Sequence, residues 1–118
     1  NGFRIGIVCD VGLAPSTVLR ETLADAGLLE YFDGWAFSDE VGHYKPAPEI
    51  FSHALESIGG TAAESWHVGD LRRTDVAGSR SFGMTSVRYR GVADDPEDFA
   101  EADHVISKHS EILELLGI

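Results

Sequence analysis

The chain has 118 residues, 43% hydrophobic and 25% charged, the balance of a folded globular chain and not of a disordered one. Its formal net charge of -11, from 20 acidic against 9 basic residues, argues against a nucleic-acid surface, whose phosphates reward clustered Lys and Arg. No apolar run approaches the roughly 20 residues a spanning helix needs, no signal-peptide pattern is present, and the single Cys9 excludes an internal disulfide framework and fits a reducing, cytoplasmic setting.

Short apolar runs alternate with amphipathic segments, which predicts an α/β domain on a parallel sheet. Residues 4–9 (R-I-G-I-V-C) read as a buried strand running into Asp10-Val11-Gly12. Pro15-Ser16 announces a helix to about Ala26, with Val18, Leu19, Leu23 and Ala26 at helical spacing and Gly27 as its stop. Residues 28–32 form a connector, 35–38 a second strand, and 42–48 a loop restricted by prolines. The helix over 48–58 has Pro48 in its first turn, with Ile50, Phe51, Leu55 and Ile58 inward and Gly59-Gly60 at its end. Residues 65–68 read as the third strand, 75–82 as the helix after it, and 85–89 as the fourth strand. An acidic surface loop over 91–102, a short strand over 104–106 and a helix over 110–116 capped by Ser110 complete the chain. Neither repeats nor an interior linker are present, so residues 1–118 read as one domain or part of one.

In open parallel sheets, ligands bind beyond the carboxyl ends of the strands. Cys9 and Asp10 follow the first strand, Lys45 lies in the loop after the second, and Asp70 follows the third within His67-Val68-Gly69-Asp70. Carboxylates so placed suit Mg²⁺, which takes only one or two of them and keeps waters or substrate oxygens. Asp70 is the better direct ligand. Asp75 reads as a supporting acceptor, a ligand through water, or a negative charge favoured at a helix start. Lys45 would neutralise and orient a phosphoryl group. Cys9 reads as a small buried hydrophobe, and His67 as a packed, hydrogen-bonded side chain. The histidines lack zinc-site spacing. Arg72, Arg73, Arg80, Arg88 and Arg90 gather in one region, either as a positive patch for an anionic small molecule or as solvated surface arginines.

These pieces together resemble the haloacid dehalogenase-like (HAD) hydrolase superfamily. The resemblance is carried by Glu30-Tyr31-Phe32-Asp33, Phe37-Ser38-Asp39-Glu40-Val41-Gly42, Lys45-Pro46-Ala47-Pro48-Glu49-Ile50-Phe51, and His67 through Asp75 followed by Ala77-Gly78 and Phe82-Gly83-Met84. It spans residues 5–89 and implies a three-layer Rossmann-like core. In that family Lys45 matches the lysine on the phosphoryl group and nucleophile, Asp70 the Mg²⁺ aspartate, and Asp75 its supporting carboxylate. Cys9 stands where the family has a small hydroxyl residue, so Asp10, Gly12 or backbone N–H groups would substitute at the phosphoryl oxygens. The family's nucleophilic Asp, its general acid and its cap have no match, because the chain opens at Asn1 without an initiator Met. Asp10 as nucleophile is the minor alternative, with Gly12 where the acid should stand.

The resemblance therefore implies a core domain lacking its first strand and cap, inactive by itself. Gly69-Asp70 resembles the Mg²⁺-dependent phosphatases, where metal-free 2-haloacid dehalogenases carry a Ser/Asn-rich version. A phosphomonoesterase acting on a phosphorylated small molecule through a phosphoaspartyl intermediate is the first expectation. A dehalogenase, a phosphomutase or a non-catalytic assembly fragment are the alternatives. A missing central strand would leave two open sheet edges, predicting self-association, strand rearrangement or poor stability.

Overall fold

The computed structural model describes residues 2–118, which fold as α/β with parallel strands and flanking helices. Contacts divide the chain into two compact units, Asn1–Thr61 and Ala62–Ile118.

In the first unit, β1 (Gly6–Cys9) pairs in parallel with β2 (Gly34–Phe37), Gly6 opposite Gly34 and Cys9 opposite Phe37. α1 (Ser16–Asp25) connects them, and α2 (Ser38–Val41) begins directly where β2 stops. α3 (Pro48–Ile58) opens with proline in its first turn and ends at Gly59, whose φ of 65° is the left-handed turn that favours glycine. Its Ile50, Phe51, Ala54 and Leu55 are buried with Ala36 and Phe37 of β2, and these make the unit's core. A side chain at Gly34 would run into Ser57 of α3, so glycine there permits the close approach of helix and strand.

The apolar residues at helical spacing along α1 are not buried. Of its residues only Ser16 is buried, and Val18 is 44% exposed. The helix is held by polar contacts instead. The Ser16 amide donates to Asp39 Oδ2 at 2.9 Å, and Arg20 donates to Glu40 Oε1 at 2.7 Å while lying over the Trp35 and Phe37 rings.

In the second unit, β3 (Trp66–Gly69), β4 (Thr85–Tyr89) and β5 (His104–Ile106) form a parallel sheet in that order. The helix after β3 starts earlier than expected, with a π turn over Arg72–Val76 before α4 (Ala77–Ser81). The Leu71 carbonyl accepts from both Asp75 N and Val76 N, at 2.9 and 3.2 Å, which widens that turn. α5 (Glu111–Leu116) lacks a side-chain cap from Ser110, whose own backbone is already helical; Glu111 instead accepts from the Ser107 amide at 2.8 Å. Beside Val76, Val87 and Ile106, this core buries Ser79, Ser86, His67 and Arg88.

The arginine region is no positive patch. Arg88 is 2% exposed, donating to both Glu101 oxygens and to Asp94, while Arg72 and Arg80 also reach the acidic segment 94–103. Arg72, Arg73, Arg80 and Arg88 thus pair with acids of that segment, whereas Arg90 donates to the Ser107 hydroxyl. No helix among the described residues is long and apolar enough to cross a membrane.

Candidate active site

The sequence-predicted residues fall into two groups, one per unit. In the first unit the loop after β1 carries Asp10, Val11 and Gly12, and α2 holds that loop in place. Ser38 Oγ accepts from the Val11 amide at 2.7 Å, a buried contact, and Asp39 fixes the far end of the loop through Ser16. The Ser16 amide beside Asp39 holds its carboxyl below the usual range, so this tie is charge-assisted.

Asp10 Oδ1 accepts from the Lys45 backbone amide at 2.8 Å, which joins the loop after β1 to the lysine loop. Lys45 is partly buried, and its peptide bond to Pro46 is cis. Cys9 is half-buried, and burial pushes its thiol up; Lys45 opposes this, while Asp10 and Asp39 add to it. The thiol is therefore held neutral, as a small packed group. Gly12 is exposed, with open space where a side chain would project. Cys9, Asp10 and Lys45 thus stand together, with the backbone of Asp10 to Gly12 at their edge.

The second group is built around Asp75. Asp75 is 2% exposed, and its Oδ2 accepts from the amides of Asp70 and Leu71, at 3.1 Å each. Its Oδ1 lies 2.9 Å from His67 Nε2, which donates to it, so His67 is the hydrogen-bonded core side chain the sequence suggests. A Cβ at Gly69 would fall within the Asp75 carboxyl group, so only glycine leaves room for this arrangement. Asp75 is thus a loop-holding acceptor and not simply a charge at a helix start.

Asp70 is exposed, and its carboxylate has no hydrogen bond or ion pair among the described residues. No cluster of three or more His, Cys, Asp or Glu able to hold a metal occurs among the described residues. A hard cation that keeps its waters needs only one such carboxylate. The donor set therefore fits Mg²⁺ at Asp70, with Asp75 shaping the loop behind it.

A cavity of about 400 Å³ opens beside Asp70, lined by Val68, Gly69, Tyr89, Val92, Ala93 and His109. His109 stacks on Tyr89, ring centroids 4.1 Å apart. Sequence reasoning misses Ser38 and Asp39, although a Ser-Asp-Glu run directly after a strand is the signal of a helix start. It also misses Asp95, whose Oδ2 accepts from the Arg72 amide at 2.7 Å.

Comparison with known proteins identifies the family to which the chain belongs. The family model for haloacid dehalogenase-like hydrolases matches residues 1–83. A glyceraldehyde 3-phosphate phosphatase of Methanocaldococcus jannaschii is 32% identical over 117 residues, covering 98% of this chain and 50% of its own. A HAD phosphatase from Thermococcus onnurineus superimposes with a TM-score of 0.83 at 35% identity, over 98% of this chain and 51% of that one. A 2-haloacid dehalogenase from Pseudomonas syringae gives a TM-score of 0.80 at 27% identity, over 98% of this chain and 46% of that one. The chain thus spans about half the length of such relatives.

Proposed function

This chain belongs to the haloacid dehalogenase-like hydrolase family, and from that premise we propose that it carries the cation- and phosphate-holding residues of a Mg²⁺-dependent phosphomonoesterase. The observation that carries the reading is the loop after β3. There Asp75 takes up the loop amides and leaves the Asp70 carboxylate exposed and unengaged. Relatives named as phosphatases support the same chemistry at about twice this length.

Asp70 holds the cation, which when bound would offset charge on the phosphoryl oxygens. Asp75 and His67 keep its loop in shape. Lys45 binds and orients the phosphoryl group, and the Cys9 thiol with the amides of Asp10 to Gly12 line its oxygens. The substrate is a phosphorylated small molecule, and the lone cysteine accords with a cytoplasmic setting. No nucleophile is assigned among these residues.

The test is p-nitrophenyl phosphate hydrolysis by the full-length protein with and without Mg²⁺. We expect Mg²⁺-dependent turnover that Asp70→Ala lowers by about 10²-fold or more, the cost of removing one electrostatic stabiliser. Turnover indifferent to both would overturn the reading. The likeness to a 2-haloacid dehalogenase favours a second reading, which halide release from a 2-haloacid without phosphatase activity would establish.

A further inference from the structure

We propose that Asp95 is a positioning residue for the cation loop, fixing the Arg72 amide and so the direction in which Asp70 is presented. The proposal rests on the reading of Asp70 as the cation's ligand. Three successive amides follow β3, at Asp70, Leu71 and Arg72. The first two donate to Asp75 Oδ2, and the third donates to Asp95 Oδ2 at 2.7 Å. Two carboxylates from separate segments thus hold all three of these amides, so that none of them turns back onto the Asp70 carboxylate.

The Asp95 contact is built, not incidental. Asp95 is 7% exposed although it lies in the most acidic stretch of the chain. Its Oδ1 accepts from the Glu97 amide at 3.0 Å, which closes a turn and fixes the rotamer that aims Oδ2 at Arg72. The Arg72 side chain returns the grip, donating from Nη1 to the carbonyls of Asp95 and Glu97, at 2.7 and 3.0 Å, and from Nη2 to Glu101 at 2.8 Å. Main chain and side chain of one residue are therefore clasped by the same acidic segment. The neighbouring Val92 and Ala93 line the cavity beside Asp70, so one segment sets both the loop and a wall of the cavity.

A group that orients a metal ligand shows itself in cation affinity, where losses of about 10-fold or more follow its removal. The experiment is Mn²⁺ binding by electron paramagnetic resonance, with thermal melts, on the full-length protein and its Asp95→Asn, Asp103→Asn and Asp70→Asn variants. Asp103 serves as the control because it also ties the acidic segment down, accepting from the Ser86 amide at 2.9 Å, but does not touch the cation loop.

We expect Asp95→Asn to weaken Mn²⁺ binding about 10-fold, and Asp103→Asn to lower the melting temperature with affinity unchanged. An Asp95→Asn affinity within threefold of the parent, with Asp70→Asn abolishing binding, would overturn the proposal and leave the site reading intact. Unchanged binding in Asp70→Asn would instead remove the site reading and the proposal with it. Should Asp95→Asn not fold, Asp95→Glu keeps the charge but moves the acceptor by a methylene. The same threefold threshold then decides.

Discussion

At Gly69 the sequence constraint is one of volume. The Asp75 carboxyl group occupies the space a side chain would need, and from there it accepts from two amides and from His67. Gly69→Ala must push Asp75 out and leave those donors short of an acceptor. Overpacking of this kind costs about 1–3 kcal/mol. We therefore expect a lower urea midpoint for Gly69→Ala together with weaker Mn²⁺ binding. An unchanged midpoint would show that Asp75 can leave its place without consequence. The Gly-Asp pair is visible in the sequence as a turn after a strand. What cannot be seen there is that Asp75, five residues later, returns under that turn. The division of Asp70 and Asp75 into an outer and a supporting carboxylate is thus legible in the sequence, but the burial of Asp75 and its bonds to two amides and His67 come from tertiary placement.

The element that governs the second unit's charge is the acidic segment 94–103, bound by Arg72, Arg80 and Arg88. The Arg88 side chain beside Glu101 holds that carboxyl down, from 4.5 to about 2. A carboxylate whose pKa is lowered on folding contributes stability that is complete above its unfolded value and is lost as pH falls toward the folded one. The loss therefore lies between pH 4.5 and about 2. Glu101→Gln should be less stable than the parent at pH 7 and flatter across that window, as read from urea midpoints at several pH values. The slope will not vanish, because Asp95 and Asp103 are also held low, each by a backbone amide. A variant as steep as the parent would mean that this pair contributes nothing to acid sensitivity. Both partners were legible as composition, arginines in one stretch and acids in the next. Their pairing was not, since Arg88 meets Glu101 through the packing of a strand against a loop and follows no helical or strand period. The same limit explains α1, where the spacing gives a helix and its end but not whether anything covers its apolar stripe. The five strands among the described residues, by contrast, have bounds legible within about two residues, because apolar runs bounded by turns are local signals, although the burial expected of residues 4–9 is absent, with Gly6 exposed and Ile7 to Cys9 half-buried.

At the scale of the whole molecule, the strands form a two-stranded sheet, β1-β2, and a separate three-stranded one, β3-β4-β5. Among the described residues β1 pairs only with β2, and β3 only with β4, so each leaves a row of backbone donors and acceptors without a sheet partner. A two-stranded ribbon is marginal in water, and here it depends on α3 for its buried face. Phe3 and Ile5 next to β1, and Val68 on β3, add exposed apolar surface to these strands. An edge of this kind favours pairing with another copy. The formal charge of -11 opposes it, because every copy repels every other. Screening decides between them, with a Debye length of about 30 Å at 0.01 M salt and about 8 Å at 0.15 M. We therefore expect the 118-residue chain to sediment as a monomer at low salt and to self-associate with concentration as salt rises. Val68→Lys places a charge on the β3 edge, the device by which edge strands resist pairing, and should shift the association to higher concentration. Sedimentation velocity over a salt and concentration series reads both effects. A monomer under all conditions would show that the open edges are closed by the chain itself, and association untouched by Val68→Lys would place the contact away from β3.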